Sequence, residues 1–163
     1  LTRISAAAGA APAAGGRVVA LDAYLDQLIG EWRQRRPEVR LAFRRDGSAP
    51  PPAIVADRVI TQAIVNVLDN AAEAQAREVA VVARWDANEL SLEIDDDGVG
   101  IASEIAPRLG REAVSTKREG MGIGLLLSRA ILERLGGVLA LDRAEPRGTR
   151  ARIRLPLAAL TVS

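Results

Sequence analysis

The stretch that decides the fold is residues 89–100, with the sequence ELSLEIDDDGVG. Its first half alternates apolar with polar residues, and this period of two predicts a strand with one buried face. The apolar positions are Leu90, Leu92 and Ile94. Because the alternation continues, Asp96 falls on the same side as these apolar residues.

A carboxylate on an apolar face is costly unless something donates hydrogen bonds to it. The exocyclic amine of a purine is one such donor, and Gly98 and Gly100 would let a ligand ring approach the backbone closely. The sequence therefore leaves two interpretations open at Asp96: a base-binding pocket, or an acidic turn that follows an edge strand.

Hydrophobic patterning on either side of this stretch predicts the remaining elements. We expect strands at residues 18–21, 39–44, 78–84, 138–142 and 149–155, with hairpin turns at 86–88 and 145–148. Helices should follow N-caps at Asp22 and at Asp57, the second as far as Ala76, and a third should cover 123–135 before Gly136-Gly137. Residues 46–52 and 96–120 are predicted loops.

This order of elements contains several hairpins, so the sheet should be mostly antiparallel and carry helices on one face. We predict an α+β, two-layer sandwich. Residues 1–16 are interpreted as a flexible Ala/Gly linker and residues 17–160 as a single domain. The chain begins at Leu1 and has no apolar run long enough to cross a bilayer, so we expect a soluble fragment of a longer protein.

Composition excludes several kinds of chemistry. The 163 residues include no His and no Cys, so Ser-His-Asp and Cys-His nucleophiles, zinc sites of the usual ligands and disulfides cannot be built. With 22 Lys and Arg against 21 Asp and Glu, the net charge of +1 predicts no special attraction to nucleic acid. Chemistry must use carboxylates, amides, hydroxyls, basic side chains, backbone groups or a bound ion.

Two asparagines mark the second predicted helix. Asn66, Asn70 and Glu73 are spaced by four and three residues, which places them on one stripe beside the apolar face. Amide oxygens can ligate a hard cation such as Mg²⁺. A solvated polar stripe is the alternative interpretation.

A glycine-rich string, Gly120-Met121-Gly122-Ile123-Gly124-Leu125, leads into the third predicted helix. Unpaired N–H groups at the positive end of a helix suit phosphate. The spacing departs from the dinucleotide fingerprint, and no Walker lysine follows it. Lys117, the one lysine of the chain, lies just upstream and is a candidate phosphate contact.

In sequence, these motifs are Asn-x3-Asn on a helix, Asp-x-Gly-x-Gly after a strand, Gly-x-Gly-x-Gly before a helix, and Gly148-Thr149 opening the last strand. This arrangement resembles the ATP-binding domain of sensor histidine kinases, from the wider Bergerat-fold (GHKL) family that includes gyrase, Hsp90 and MutL. Residues 115–137 are similar to nitrogen- and oxygen-responsive kinases. The segment VALDAYLDQLIGEWRQRRPEVRL and the lid region look most like the redox-sensing RegB/PrrB type.

The resemblance implies a role for each matching residue. Asn70 would coordinate Mg²⁺, Asn66 would lie beside the phosphates, and Asp96 would accept from the adenine amine. Around the base and triphosphate the implied contacts are Gly98, Gly100, Thr149, Lys117, Gly120, Gly122, Gly124 and Leu125, with an ATP lid at about 101–120. The implied catalytic residues are Asn66, Asn70 and Lys117.

The implied reaction is transfer of the γ-phosphoryl group of Mg-ATP to a histidine on an upstream dimerisation domain, since this chain has none. ATPase relatives place a glutamate base where this chain has Asn66, which cannot accept a proton from water and so favours phosphotransfer over hydrolysis. Further expectations are a response-regulator partner, no nucleic acid, a cytoplasmic domain of a membrane-anchored homodimer, and a monomeric fragment. The alternatives are an anti-sigma-type serine kinase of the same fold and a degenerate nucleotide-binding interaction module.

Overall fold

The computed structural model describes residues 17–99 and 121–161. In chain order the elements are β1 (Arg17–Ala20), α1 (Leu21–Arg35), β2 (Arg40–Gly47), β3 (Ala53–Ala56), α2 (Arg58–Glu73), β4 (Glu78–Trp85), β5 (Glu89–Asp96), α3 (Met121–Arg134), β6 (Val138–Arg143) and β7 (Thr149–Pro156), followed by a 3-10 turn at Leu157–Ala159. The predicted linker at 1–16 and the predicted lid at 101–120 lie outside the described residues.

Within these residues, five strands form one sheet in the order β2-β4-β5-β7-β6. Only the β2–β4 pair is parallel, and the other neighbours are antiparallel. Strands β1 and β3 form a separate antiparallel pair. The mostly antiparallel sheet that we predicted is confirmed.

One face of the large sheet is apolar and packs against the helices. Alternate residues of β4, β5 and β7 are buried there, in a single core with the apolar faces of the three helices. The opposite face carries cross-strand ion pairs, in which Arg150 contacts Asp95 at 2.8 Å and Arg152 contacts Glu93 at 3.2 Å. The predicted two-layer α+β sandwich, with helices on one face, is thus confirmed.

Helix α2 lies at the centre of the helical layer. Asp57 caps it as predicted, because its side chain accepts from the Val59 N–H at 2.6 Å. The Trp32 indole N–H of α1 donates to Asp69 of α2 at 2.9 Å. On the other side, the buried Ser128 hydroxyl of α3 donates to the Ala63 carbonyl at 2.8 Å.

Two local predictions are wrong, and one strand was not predicted. Asp22 is not an N-cap: α1 begins at Leu21, and the Asp22 carboxylate accepts from the adjacent Ala23 N–H at 2.8 Å inside the first turn. Helix α2 ends at Glu73, three residues before Ala76, since Gln75 takes a left-handed φ of 65°. Strand β3 (Ala53–Ala56) was not predicted, because its pairing with β1 is a long-range contact.

The indole bond between α1 and α2 gives a first test of this packing. Trp32→Phe should lower the free energy of unfolding by about 2 kcal/mol, through lost volume and a lost hydrogen bond. Asp69→Asn keeps an acceptor oxygen and should cost less. Urea unfolding followed by the fluorescence of Trp85, the remaining tryptophan of the Trp32 variant, measures both. An equal loss in the two variants would contradict the role given to the indole.

Candidate functional site

Asp96 ends β5 with its carboxylate on the apolar side of the sheet, as the alternation predicted, and only 7% of the residue is exposed. Its Oδ1 accepts from the Gly98 N–H at 2.8 Å and from the Thr149 N–H at 3.3 Å. Burial raises the pKa of the Asp96 carboxyl above its ordinary value, although the two backbone hydrogen bonds oppose the shift. Among the described residues no donor contacts Oδ2, so this oxygen can accept from a ligand.

Two glycines allow the backbone to close around Asp96. A Cβ on Gly98 would lie 2.6 Å from the Ala74 carbonyl oxygen, so close packing against the end of α2 requires glycine there. Gly148 has a φ of +103°, and a Cβ on it would overlap the carbonyl oxygen of Asp96. From the sequence, Gly98 was expected to let a ligand approach the backbone. The packing role of Gly148 was missed, because the sequence shows this residue only as the glycine before Thr149.

Asn70 lies on α2 and is 5% exposed. Its side-chain oxygen is buried and has no hydrogen-bond partner in the described part of the chain. A buried amide oxygen without a donor is costly in an apo protein, and it is the type of ligand that a hard cation accepts. Within the described residues no group of three or more acidic side chains could hold a metal ion. The buried oxygen without a donor makes Asn70 a candidate metal ligand.

Asn66, one turn earlier on α2, is half-buried and faces α3. Its side-chain oxygen accepts from the Gln62 amide at 2.7 Å, and its amide donates to the Gly124 carbonyl at 3.5 Å. The fold thus brings Asn66, the first of the predicted asparagine pair, to Gly124 of the glycine string. Glu73, grouped with them in the sequence, is exposed.

Helix α3 begins at Met121, so Gly122 and Gly124 lie in its first turns, whereas the sequence predicted a helix from residue 123. Among the described residues outside the helix's own backbone, nothing lies within 4 Å of a Cβ placed on Gly124. Leu125 is buried in the hydrophobic core. Thr149 is also buried and touches Asp96 through its backbone. The predicted contacts Gly100, Lys117 and Gly120 lie outside the described residues.

A cavity of about 450 Å³ opens beside the 144–147 turn, at the polar face of the sheet. Arg40, Glu78 and Asp95 of that face line it, and Asp96 and Asp97 border it at the end of β5. The asparagine-bearing helix packs on the opposite, apolar face. We therefore do not assign the candidate site to this cavity.

The fold is an α+β domain in which two buried residues, Asp96 and Asn70, each present an acceptor oxygen without a donor among the described residues. Residues 55–159 match the family of histidine kinase-, DNA gyrase B-, and HSP90-like ATPases. The chain belongs to this family, and it is a catalytic domain of the histidine-kinase type.

Individual relatives agree with this assignment. The sensor protein FixL of Bradyrhizobium diazoefficiens is 34% identical over 87% of this chain, and the sensor histidine kinase RegB of Cereibacter sphaeroides is 28% identical over 69%. The chain spans 29% of FixL and 27% of RegB. The structure of the mycobacterial sensor histidine kinase MprB superposes with a TM-score of 0.68 at 26% identity, covering 91% of this chain and 99% of that one.

The close approach of Gly148 to the Asp96 backbone predicts that alanine at position 148 destabilises the fold, whereas alanine at an unhindered glycine stabilises it. Gly148→Ala should destabilise the fold by more than about 2 kcal/mol, because alanine is strained at positive φ and its Cβ collides with backbone. Gly30→Ala is the control: nothing lies within 4 Å of its Cβ position inside α1, so stability should rise by about 0.5–1 kcal/mol. Urea unfolding of both variants measures the difference, and a neutral Gly148→Ala would contradict the described closure.

Proposed function

We propose that this chain is the catalytic, ATP-binding domain of a two-component sensor histidine kinase. It would bind Mg-ATP and transfer the γ-phosphoryl group to a histidine on an upstream dimerisation domain. The observation that supports this most strongly is a pair of acceptor oxygens on buried residues, Asp96 Oδ2 and Asn70 Oδ1, that have no donor among the described residues. They belong to adjoining segments of the domain, since Gly98 and Val99 pack against the end of α2.

Asp96 would select the base. Its Oδ1 is held by two backbone donors, so the carboxylate is fixed and presents Oδ2 to the adenine amine. Guanine has a carbonyl oxygen in place of that amine, and two acceptors that face each other repel. Gly98, Gly100 and Thr149 would complete the surroundings of the base.

Asn70 would hold Mg²⁺ through Oδ1, and the residue fits the ion because that oxygen is buried and unsatisfied. The ion, when bound, would neutralise charge on the phosphates during transfer. Asn66 and the first turns of α3, with Gly122, Gly124 and the backbone of Leu125, would position the phosphate chain. Lys117 and Gly120 complete the proposed phosphate contacts.

In the proposed step, the bond between the γ-phosphorus and the oxygen that bridges it to the β-phosphate breaks, and ADP leaves with that electron pair. A nitrogen of the acceptor histidine forms the new bond to phosphorus. Such transfer depends on positioning and electrostatic stabilisation more than on proton abstraction. Asn66 suits it, because an amide does not activate water as a carboxylate base would.

The remaining parts of the proposal concern the parent protein. Residues 17–160 would form the domain, 1–16 a linker and about 101–120 the ATP lid. A response regulator would receive the phosphoryl group, and the domain would lie in the cytoplasm as part of a membrane-anchored dimer. In the described ranges, none of the helices is long and apolar enough to cross a membrane.

Calorimetric titration of the purified chain with ATP, with and without Mg²⁺ and with GTP as control, tests the function. Saturable binding that prefers adenine and strengthens with Mg²⁺ is expected, without self-phosphorylation because the chain has no histidine. Absence of binding up to millimolar ATP would overturn the proposal.

Substitution at Asp96 should separate binding from stability. In Asp96→Asn the side-chain oxygen keeps its two backbone donors, so the new amide nitrogen faces the adenine amine and two donors collide. We expect ATP affinity to fall at least about 100-fold, with a smaller preference for ATP over GTP.

The same substitution, Asp96→Asn, should leave the free energy of unfolding at pH 7 unchanged or higher, although it lowers ATP affinity. The raised pKa of Asp96 means that the wild-type chain loses stability as pH rises from the ordinary value near 4 through the folded value. Asp96→Asn lacks this loss, so it should be at least as stable as wild type at pH 7, and the advantage should vanish in acid. Urea unfolding at pH 7 and below pH 4 measures this. A variant less stable than wild type at pH 7 would contradict the assigned burial cost.

A further inference from the structure

Asp97 attaches the segment that carries Asp96 to the turn that follows α2 and to the first residue of β4. The Asp97 Oδ1 accepts from the backbone N–H groups of Arg77 at 2.8 Å and Glu78 at 3.1 Å, and the Asp97 N–H donates to the Glu78 carbonyl at 3.3 Å. These hydrogen bonds, led by the one from Glu78, lower the pKa of the Asp97 carboxyl, so it is ionised at neutral pH. The Asp97 side chain is thus engaged in hydrogen bonds to the backbone of the turn between α2 and β4.

The same attachment continues toward the candidate metal ligand. The Val99 N–H donates to the Ala74 carbonyl at 3.0 Å, and the Ala74 N–H donates to the Asn70 carbonyl at 3.0 Å. Gly98 packs directly against Ala74. A short chain of backbone contacts therefore joins the segment after Asp96 to Asn70.

A second attachment holds the other side of this segment. The Arg147 guanidinium donates to the Gly98 carbonyl at 3.1 Å, and the Thr149 N–H donates to Asp96. Without Asp97, the segment would still be held to the β6–β7 turn but would be less firmly held to α2. The distance between Asp96 and Asn70 would then be less well fixed.

We infer that Asp97 is a positioning residue that fixes the spacing between the base-binding carboxylate of Asp96 and the metal-binding amide of Asn70. It acts through the α2–β4 turn and does not contact the ligand. The inference rests on the proposed function, because the spacing matters only to a ligand that reaches both residues. Mg-ATP is such a ligand, whereas adenosine reaches Asp96 alone.

The chain supplies a matched control for this inference. Asp86, in the β4–β5 hairpin, also accepts two backbone N–H groups with one oxygen, from Asn88 and Glu89, both at 2.7 Å. Removing either carboxylate deletes the same kind of turn contact. Of the two, Asp97 is the one that adjoins Asp96 and bonds to the turn that follows α2, whereas Asp86 lies at the opposite end of β5.

The experiment compares Asp97→Ala, Asp97→Asn, Asp86→Ala and wild type by calorimetry with Mg-ATP and with adenosine. Asp97→Ala should weaken Mg-ATP about tenfold, because a preorganised spacing is lost, and should change adenosine binding by less than about twofold. Asp97→Asn retains an acceptor for both N–H groups and should restore Mg-ATP affinity to within about twofold of wild type. Asp86→Ala should bind both ligands as wild type does.

A double-mutant cycle with Asn70→Ala gives an independent readout. Once the metal-binding amide is absent, the spacing has no effect, so the Asp97→Ala penalty for Mg-ATP should shrink below about twofold. The inference is overturned if Asp97→Ala binds Mg-ATP as Asp86→Ala does, if Asp97→Asn fails to restore affinity, or if adenosine weakens equally. Failure of the wild-type chain to bind Mg-ATP would instead overturn the proposed function.

Discussion

The arrangement around β5 depends on one costly placement, the carboxylate of Asp96 on the apolar face of the sheet. A buried carboxylate must receive hydrogen bonds, and here the donors are the backbone N–H groups of Gly98 and Thr149. To supply them, the chain must turn sharply after β5, and the β6–β7 turn must approach the Asp96 backbone. Glycine is needed at positions 98 and 148 for these reasons of packing.

Asn70, on α2, is likewise a polar side chain buried among apolar residues. Helix α2 buries apolar residues on either side of it, yet its amide oxygen remains without a donor among the described residues. An unsatisfied amide lowers the stability of the folded state. Two buried residues thus carry acceptor oxygens without donors in the described part of the chain, on segments joined by backbone contacts, and the proposed ligand would contact both.

Local sequence predicted what depends on local periodicity. The alternation in β5 placed Asp96 correctly, and Asp57 capped α2 because its short side chain reaches the Val59 N–H within one turn. Strand β3 escaped prediction since it is short, follows three prolines and exists through pairing with β1. The role of Gly148 depends on an approach to Asp96 across 52 positions of the chain, which no local pattern encodes.

Several satisfied contacts hold the scaffold around the site. They include the Trp32–Asp69 bond, the Ser128–Ala63 bond and the ion pairs across the polar sheet face. The oxygens without a donor among the described residues, Asp96 Oδ2 and Asn70 Oδ1, lie where the segment after β5 meets the end of α2. A scaffold stabilised by the satisfied contacts can hold two unfavourable groups in fixed positions. The proposed ligand would satisfy these oxygens and so remove a cost that the domain carries without it, which would add to the free energy of binding.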